Sequence, residues 1–182
     1  MKYQLNTKMT EDDYYRFNLF VNLKSYYGKK QLIRSLTMVG VIFLICSAIV
    51  LITGGFNQET LIRIVPLVIV IVLWLAFSPL LLRGMLKARI KNMRKTGRLN
   101  YSPIALMEFY DDYFVETTAQ NKVENKYSAV DRISILRSEG IIYIHMGALI
   151  AHIIPFSTFE SREQFDEFAD FIQTKSNNVD FY

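Results

Sequence analysis

Two uncharged stretches decide how this chain is read: LTMVGVIFLICSAIVLIT, Leu36–Thr53, and IVPLVIVIVLWLAFSPLLL, Ile64–Leu82. As helices rising ~1.5 Å per residue they are about 27 and about 29 Å long, close to the thickness of a bilayer's apolar layer. Gly54-Gly55-Phe56-Asn57-Gln58-Glu59-Thr60 separates them, with Leu61, Ile62 and Arg63 leading into the second run. The pattern predicts a two-helix transmembrane hairpin over 36–82, with spans at 36–53 and 64–82.

Charge gives the hairpin an orientation. Residues 1–35 carry seven basic and three acidic side chains. Residues 83–98 carry seven basic side chains (Arg83, Lys87, Arg89, Lys91, Arg94, Lys95, Arg98) and no acidic one, and residues 99–182 carry six basic and thirteen acidic ones, a net of −7. The net charge of +4 is therefore no nucleic-acid signal. Basic residues flank the apolar runs, which places both termini in the cytoplasm of a multi-pass cell-membrane protein under the positive-inside rule. A cleaved leader is not expected, because the first run starts at Leu36 and a second follows it. The single cysteine, Cys46, lies inside the first run and forms no internal disulfide, in keeping with a reducing compartment.

Outside the runs the pattern changes. Residues 1–35 read as a short N-terminal strand, Lys2 to Asn6, and a cytoplasmic helix opened at Glu11 by the Thr10/Asp13 capping-box spacing. That helix either runs into the first span or breaks near Gly28. Within the first span Gly40, Ser47 and Gly54 recur every seven residues, a stripe on which helices can pack closely; ordinary membrane-helix composition is the other reading. Pro66 is expected in the first turn of the second span and Pro79 deeper in it. The second helix should continue as a basic juxtamembrane helix over 83–98, ending near Gly97. Leu82, Leu86, Ile90 and Met93 fall on one face; Arg83, Lys87, Lys91 and Arg94 fall on another, facing anionic lipid headgroups or serving topology alone.

After a linker at Leu99–Pro103, residues 99–182 form a separate cytoplasmic domain. Six strands are expected: Ile104–Tyr110 and Tyr113–Thr118 around an Asp111-Asp112 turn, Lys122–Tyr127, Arg132–Arg137, and Ile141–Met146 and Leu149–Ile154 around Gly147-Ala148. Ser161 and Gln164 then cap a final helix with Phe165, Phe168 and Ile172 inward and Glu163, Glu167 and Asp170 outward. The fold class is α+β: the hairpin plus a small antiparallel sheet capped by a C-terminal helix.

Little of this is catalytic. There is no phosphate-cradling glycine loop, no Gly-x-Ser-x-Gly elbow and no His-Glu-x-x-His, so no enzyme activity, cofactor or metal is expected. His145 and His152 flank the Gly147-Ala148 turn; a two-residue hairpin would pair His145 with Ile150 and set both imidazoles on one face. Asp111, Asp112 and Glu116 cluster near the first hairpin, where Asp commonly serves the turn itself.

This order of parts resembles the YcxB-like family of bacterial membrane proteins. The resemblance rests on Glu108-Phe109-Tyr110-Asp111-Asp112-Tyr113-Phe114, Tyr127-Ser128-Ala129-Val130-Asp131-Arg132-Ile133 and Ile153-Ile154-Pro155-Phe156-Ser157-Thr158-Phe159, with Thr10-Glu11-Asp12 and Phe17 near the start. It implies a membrane hairpin joined to a pleckstrin-homology-like domain. Phe156 stands where the family often has a basic residue, and the resemblance carries over no catalytic residue. The expected function is a non-enzymatic binding or scaffolding module at the membrane; the alternative is a membrane-remodelling or transport accessory in which the hairpin is active. The expected partners are a bilayer with anionic headgroups and, at Glu163, Glu167 and Asp170, a protein with a basic patch or the 83–98 helix of a second copy. Nucleic acid is not expected.

Overall fold

The computed structural model describes residues 1–55, 57–97 and 101–182, with the Leu61 side chain outside the description. Phe56, Arg98 and the first two linker residues, Leu99 and Asn100, therefore lie outside the described residues. The chain divides into two units, residues 1–18 with 92–182, and residues 19–91.

The 19–91 unit holds two long helices. Helix α1, Glu11–Leu19, runs into a π-turn at Phe20–Lys24, whose i→i+5 pattern is completed by the Ser25 N–H donating to the Phe20 carbonyl (2.8 Å). Ser25 is extended, and its hydroxyl accepts from the Gly28 N–H (3.0 Å) while donating to the Val21 carbonyl (2.7 Å). The break thus comes at Ser25, just before Gly28. Glycine is required at 28 because a Cβ there would overlap the Val21 carbonyl oxygen. Helix α2, Tyr26–Gly54, ends at Gly55, whose φ of 71° needs no Cβ and whose N–H bonds the Leu51 carbonyl (2.9 Å).

Helix α3, Gln58–Thr96, starts earlier than the apolar run suggests, because Asn57 caps it: its Oδ1 accepts from the Thr60 N–H (2.9 Å) and its Nδ2 donates to the Gly54 carbonyl (2.8 Å). Pro66 consequently lies inside the helix rather than in its first turn, and like Pro79 it removes one i→i−4 hydrogen bond. Each helix contains an 18-residue apolar window of which nothing is buried, and Ile52 is 82% exposed. Aliphatic surface on this scale is normally covered by another chain or by lipid. The helix continues without a break to Thr96, and Gly97 closes it at φ 67° with its N–H on the Arg94 carbonyl (3.2 Å).

The other unit carries two four-stranded sheets where one was expected. The first has the order β1-β2-β3-β4: β1 (Tyr3–Lys8), β2 (Ile104–Phe109), β3 (Tyr113–Thr117) and β4 (Lys122–Lys126), all antiparallel. Although β1 precedes both long helices, it pairs along its whole length with β2, Leu5 opposite Met107. The N-terminal strand therefore belongs with the later strands rather than with the helix that follows it. A 3₁₀ turn at Tyr127–Ala129 separates the sheets; Tyr127 is buried against Phe114 and its hydroxyl donates to the Tyr110 carbonyl (3.3 Å). The second sheet has the order β7-β6-β5-β8: β5 (Arg132–Leu136), β6 (Ile141–His145), β7 (Ala151–Pro155) and β8 (Val179–Phe181). Strand β8 runs parallel to β5 and follows helix α4, Arg162–Gln173, so the helix is not the last element.

Leu5, Met107, Phe109 and Phe114 of the first sheet share one core with Ile133, Ile135, Ile142, Ile144 and Ile154 of the second. Helix α4 adds Phe165, Phe168, Ala169 and Ile172, all fully buried. Phe159 fills the seam between sheet and helix, 5.3 Å from the Phe165 ring and 5.5 Å from Phe168. Full burial of one such ring contributes roughly 1.5–3 kcal/mol. The opposite face of β6 is covered as well: Phe17 of α1 packs on Tyr143, ring centroids 5.2 Å apart. Burial on both faces explains why Ile141-Ile142-Tyr143-Ile144 reads as a continuous apolar run rather than an alternating one.

Candidate functional site

The first candidate surface is the basic face of α3. Arg83, Lys87, Lys91 and Arg94 are all exposed, while Leu86 and Ile90 are buried and Leu82 and Met93 half-buried, so the helix separates its two faces as its spacing dictates. Arg94 lies 3.4 Å from the Glu11 carboxylate; both side chains are well exposed, and such pairs contribute only about 0–1 kcal/mol.

The second is the outer face of α4. Ser161 caps the helix, its Oγ accepting from the Gln164 N–H (3.3 Å), and the Gln164 side chain returns to the Glu160 N–H (2.8 Å). Glu163 and Glu167 project outward, and among the described residues neither forms an ion pair. The Glu163 carboxyl is held below the usual carboxylate range by its own backbone N–H and by Ser161 at the helix N-terminus. Asp170 differs. Arg137, the residue just after β5, donates to Asp166 (2.6 Å) and to Asp170 (2.5 Å), and Arg162 bonds the other Asp166 oxygen (3.1 Å). The guanidinium is held above its ordinary pKa chiefly by its bond to Asp170. Two of the acids thus tie α4 to the sheet, leaving Glu163 and Glu167 as the accessible pair.

The three residues of the small-residue stripe have different surroundings within this chain. A Cβ at Gly40 would meet nothing, the Ser47 hydroxyl is buried, and Gly54 is held close to Thr60 by the turn, where Thr60 Oγ1 donates to the Gly54 carbonyl (3.0 Å).

The two histidines are not neighbours. Strand β7 pairs His145 with Ala151 and Ile144 with His152, and the Met146 N–H closes the loop on the Ile150 carbonyl (2.9 Å). This is one residue out of the register that a two-residue turn would give, so the imidazoles fall on opposite faces. His152 Nδ1 lies 3.3 Å from Glu116 Oε2, with its ring edge-on to Phe114. His145 is buried on the other face, its Nε2 3.2 Å from Ser134 Oγ. Burial pushes its pKa down to about 4; Arg132 adds to this, while Asp131 and Asp180 oppose it.

Glu116 therefore joins the two sheets through His152 and does not pair with the acids of the β2–β3 turn. That turn serves the backbone: the Tyr127 N–H bonds the Asp112 carbonyl (3.1 Å) and Lys175 Nζ the Asp111 carbonyl (2.9 Å). Phe156 packs over Gly140, whose φ is 65°, and beside Phe165. Sequence reasoning missed the Arg132–Asp180 pair (2.7 Å), which pins β8 beside β5, and the bridging role of Arg137. Both join residues far apart in sequence, and no local spacing signals them. No family model matches the chain, and neither a curated protein nor a solved structure matches it.

Proposed function

We propose that this chain is a non-enzymatic integral membrane protein of the YcxB-like kind, presenting a cytoplasmic pleckstrin-homology-like module that binds another protein. The observation that carries the reading is the pairing of two long, unburied apolar helices with a well-packed, acidic β-unit, joined by a basic helix. The order of the β-unit supports the architecture: a four-stranded meander, a three-stranded meander, then a helix packed on the core. In this reading the membrane segment is inserted between the first and second strands of the module. A net of −7 over residues 99–182 disfavours phosphorylated lipid headgroups, which are held by clustered Arg and Lys. The accessible acids Glu163 and Glu167 suit a basic patch on a partner, or the 83–98 helix of a second copy.

Photo-crosslinking from a residue introduced at Glu167 of the full-length chain, in native membranes, tests this. A discrete protein adduct that disappears in Glu163→Lys is the expected result. Adducts only to phosphorylated lipid, or none, would refute the reading.

A further inference from the structure

Four connections join neighbouring antiparallel strands in the two sheets after β1, and three of them are polar. The β2–β3 turn is Asp111-Asp112; the β3–β4 turn is closed by the Thr118 hydroxyl, which accepts from the Asn121 N–H (3.0 Å); the β5–β6 turn carries Arg137, Ser138 and Glu139 before Gly140. The β6–β7 loop is the exception. Met146-Gly147-Ala148-Leu149-Ile150 contains no charged, hydroxyl or amide side chain, and Leu149 and Ile150 are 72% and 69% exposed. Among the described residues nothing asks for them: the Met146 N–H bonds the Ile150 carbonyl across the loop, and neither side chain belongs to the core. Turns exposed to water normally carry Gly, Asn, Asp or Ser.

We propose that this loop inserts Leu149 and Ile150 into the lipid interface of the membrane in which the chain is anchored. The proposal rests on the membrane reading above. Placement within the β-unit supports it. Helix α1 begins with Glu11 beside Arg94 and Tyr14 stacked on Tyr101, and nears its end with Phe17 against Tyr143 and His145, the residue just before the loop. The chain therefore leaves this unit, after Asn18, near the end of β6 that carries the loop. A covalent tether to the spans keeps the loop at high effective concentration near the bilayer, so two aliphatic side chains suffice where a free domain would need more. The absence of charge from the loop removes the cost that a Lys or Asp would incur in the interface.

The test uses the full-length chain with Cys46→Ser and single cysteines replacing Leu149, Gln120 or Phe77, each carrying an environment-sensitive fluorophore. Each is reconstituted in phosphatidylcholine–phosphatidylglycerol vesicles with or without acyl-chain doxyl lipid. The expected result is a blue-shifted, lipid-quenched label at 149, a quenched label at 77 in the span, and an unquenched, water-like label at 120. Quenching at 77 without quenching at 149, whether 149 is water-like or blue-shifted against protein, overturns the insertion while leaving the membrane reading intact. Equal quenching at 149 and 120 overturns it too, since the loop would then be nothing special. No quenching at 77 refutes the membrane reading itself and the insertion with it.

Discussion

His145 offers a pH test of the second sheet. The imidazole is 2% exposed under α1, bonded to Ser134, and its pKa falls from 6.5 to about 4. In the folded chain it is therefore neutral at pH 5, whereas in the unfolded chain it is mostly protonated there. The unfolded state binds more protons throughout the window between the two values, so stability is complete above pH 6.5 and falls as the pH is lowered towards 4. The gap corresponds to about 2 kcal/mol lost by pH 5 and about 3 kcal/mol by pH 4. Hydrogen exchange of the β5 and β6 amides, corrected for the intrinsic pH dependence, reads the loss directly. His145→Gln, which keeps a polar group near Ser134 but cannot titrate, should be less stable at pH 7.5 and nearly flat from pH 7.5 to 5. A wild-type chain equally stable at pH 7.5 and 5, or a variant falling as steeply as wild type, would refute the burial argument.

Two further perturbations follow. Gly28→Ala forces a Cβ into the Val21 carbonyl and should cost roughly 1–3 kcal/mol by opening the Ser25 junction, seen as a lower melting temperature in detergent, while Gly40→Ala, whose Cβ meets nothing, should leave it unchanged; a large Gly40 effect would mean a helix packs there after all. If the α3 basic face meets anionic headgroups, each charge contributes about 1 kcal/mol. A synthetic 82–98 peptide should then lose most of its binding to anionic vesicles when Arg83, Lys87, Lys91 and Arg94 become Gln, and equal binding would leave these residues with a topological role only.

What the sequence disclosed, and what it hid, follows from range. The caps at Thr10 and Ser161, the inward phenylalanines of α4 and five of the six expected strands depend on neighbours within a few residues, and the structure places them within a residue of what their spacing implies, while the sixth strand starts at Ala151 rather than Leu149. The pairing of Tyr3 with Phe109 spans both long helices, and nothing local records it. Strand β8 is three residues long, too short for an alternation to stand out. The histidine register failed because Leu149 and Ile150 have strand-like side chains, which made the apolar loop look like the start of β7 and narrowed the turn by one residue. For the candidate surfaces, the basic and acidic faces were readable as helical stripes. The withdrawal of Asp170 by Arg137 was not, because it depends on how β5 meets α4.

The central claim is that the apolar helices cross the membrane and leave the β-unit and both termini in the cytoplasm. Single cysteines at Lys8, Gln58 and Asn177, in a Cys46→Ser background, test it with a membrane-impermeant thiol reagent on intact cells. The account predicts labelling at 58 alone, with 8 and 177 reacting only after the membrane is permeabilised; labelling of 8 or 177 in intact cells, or its absence at 58, would contradict it.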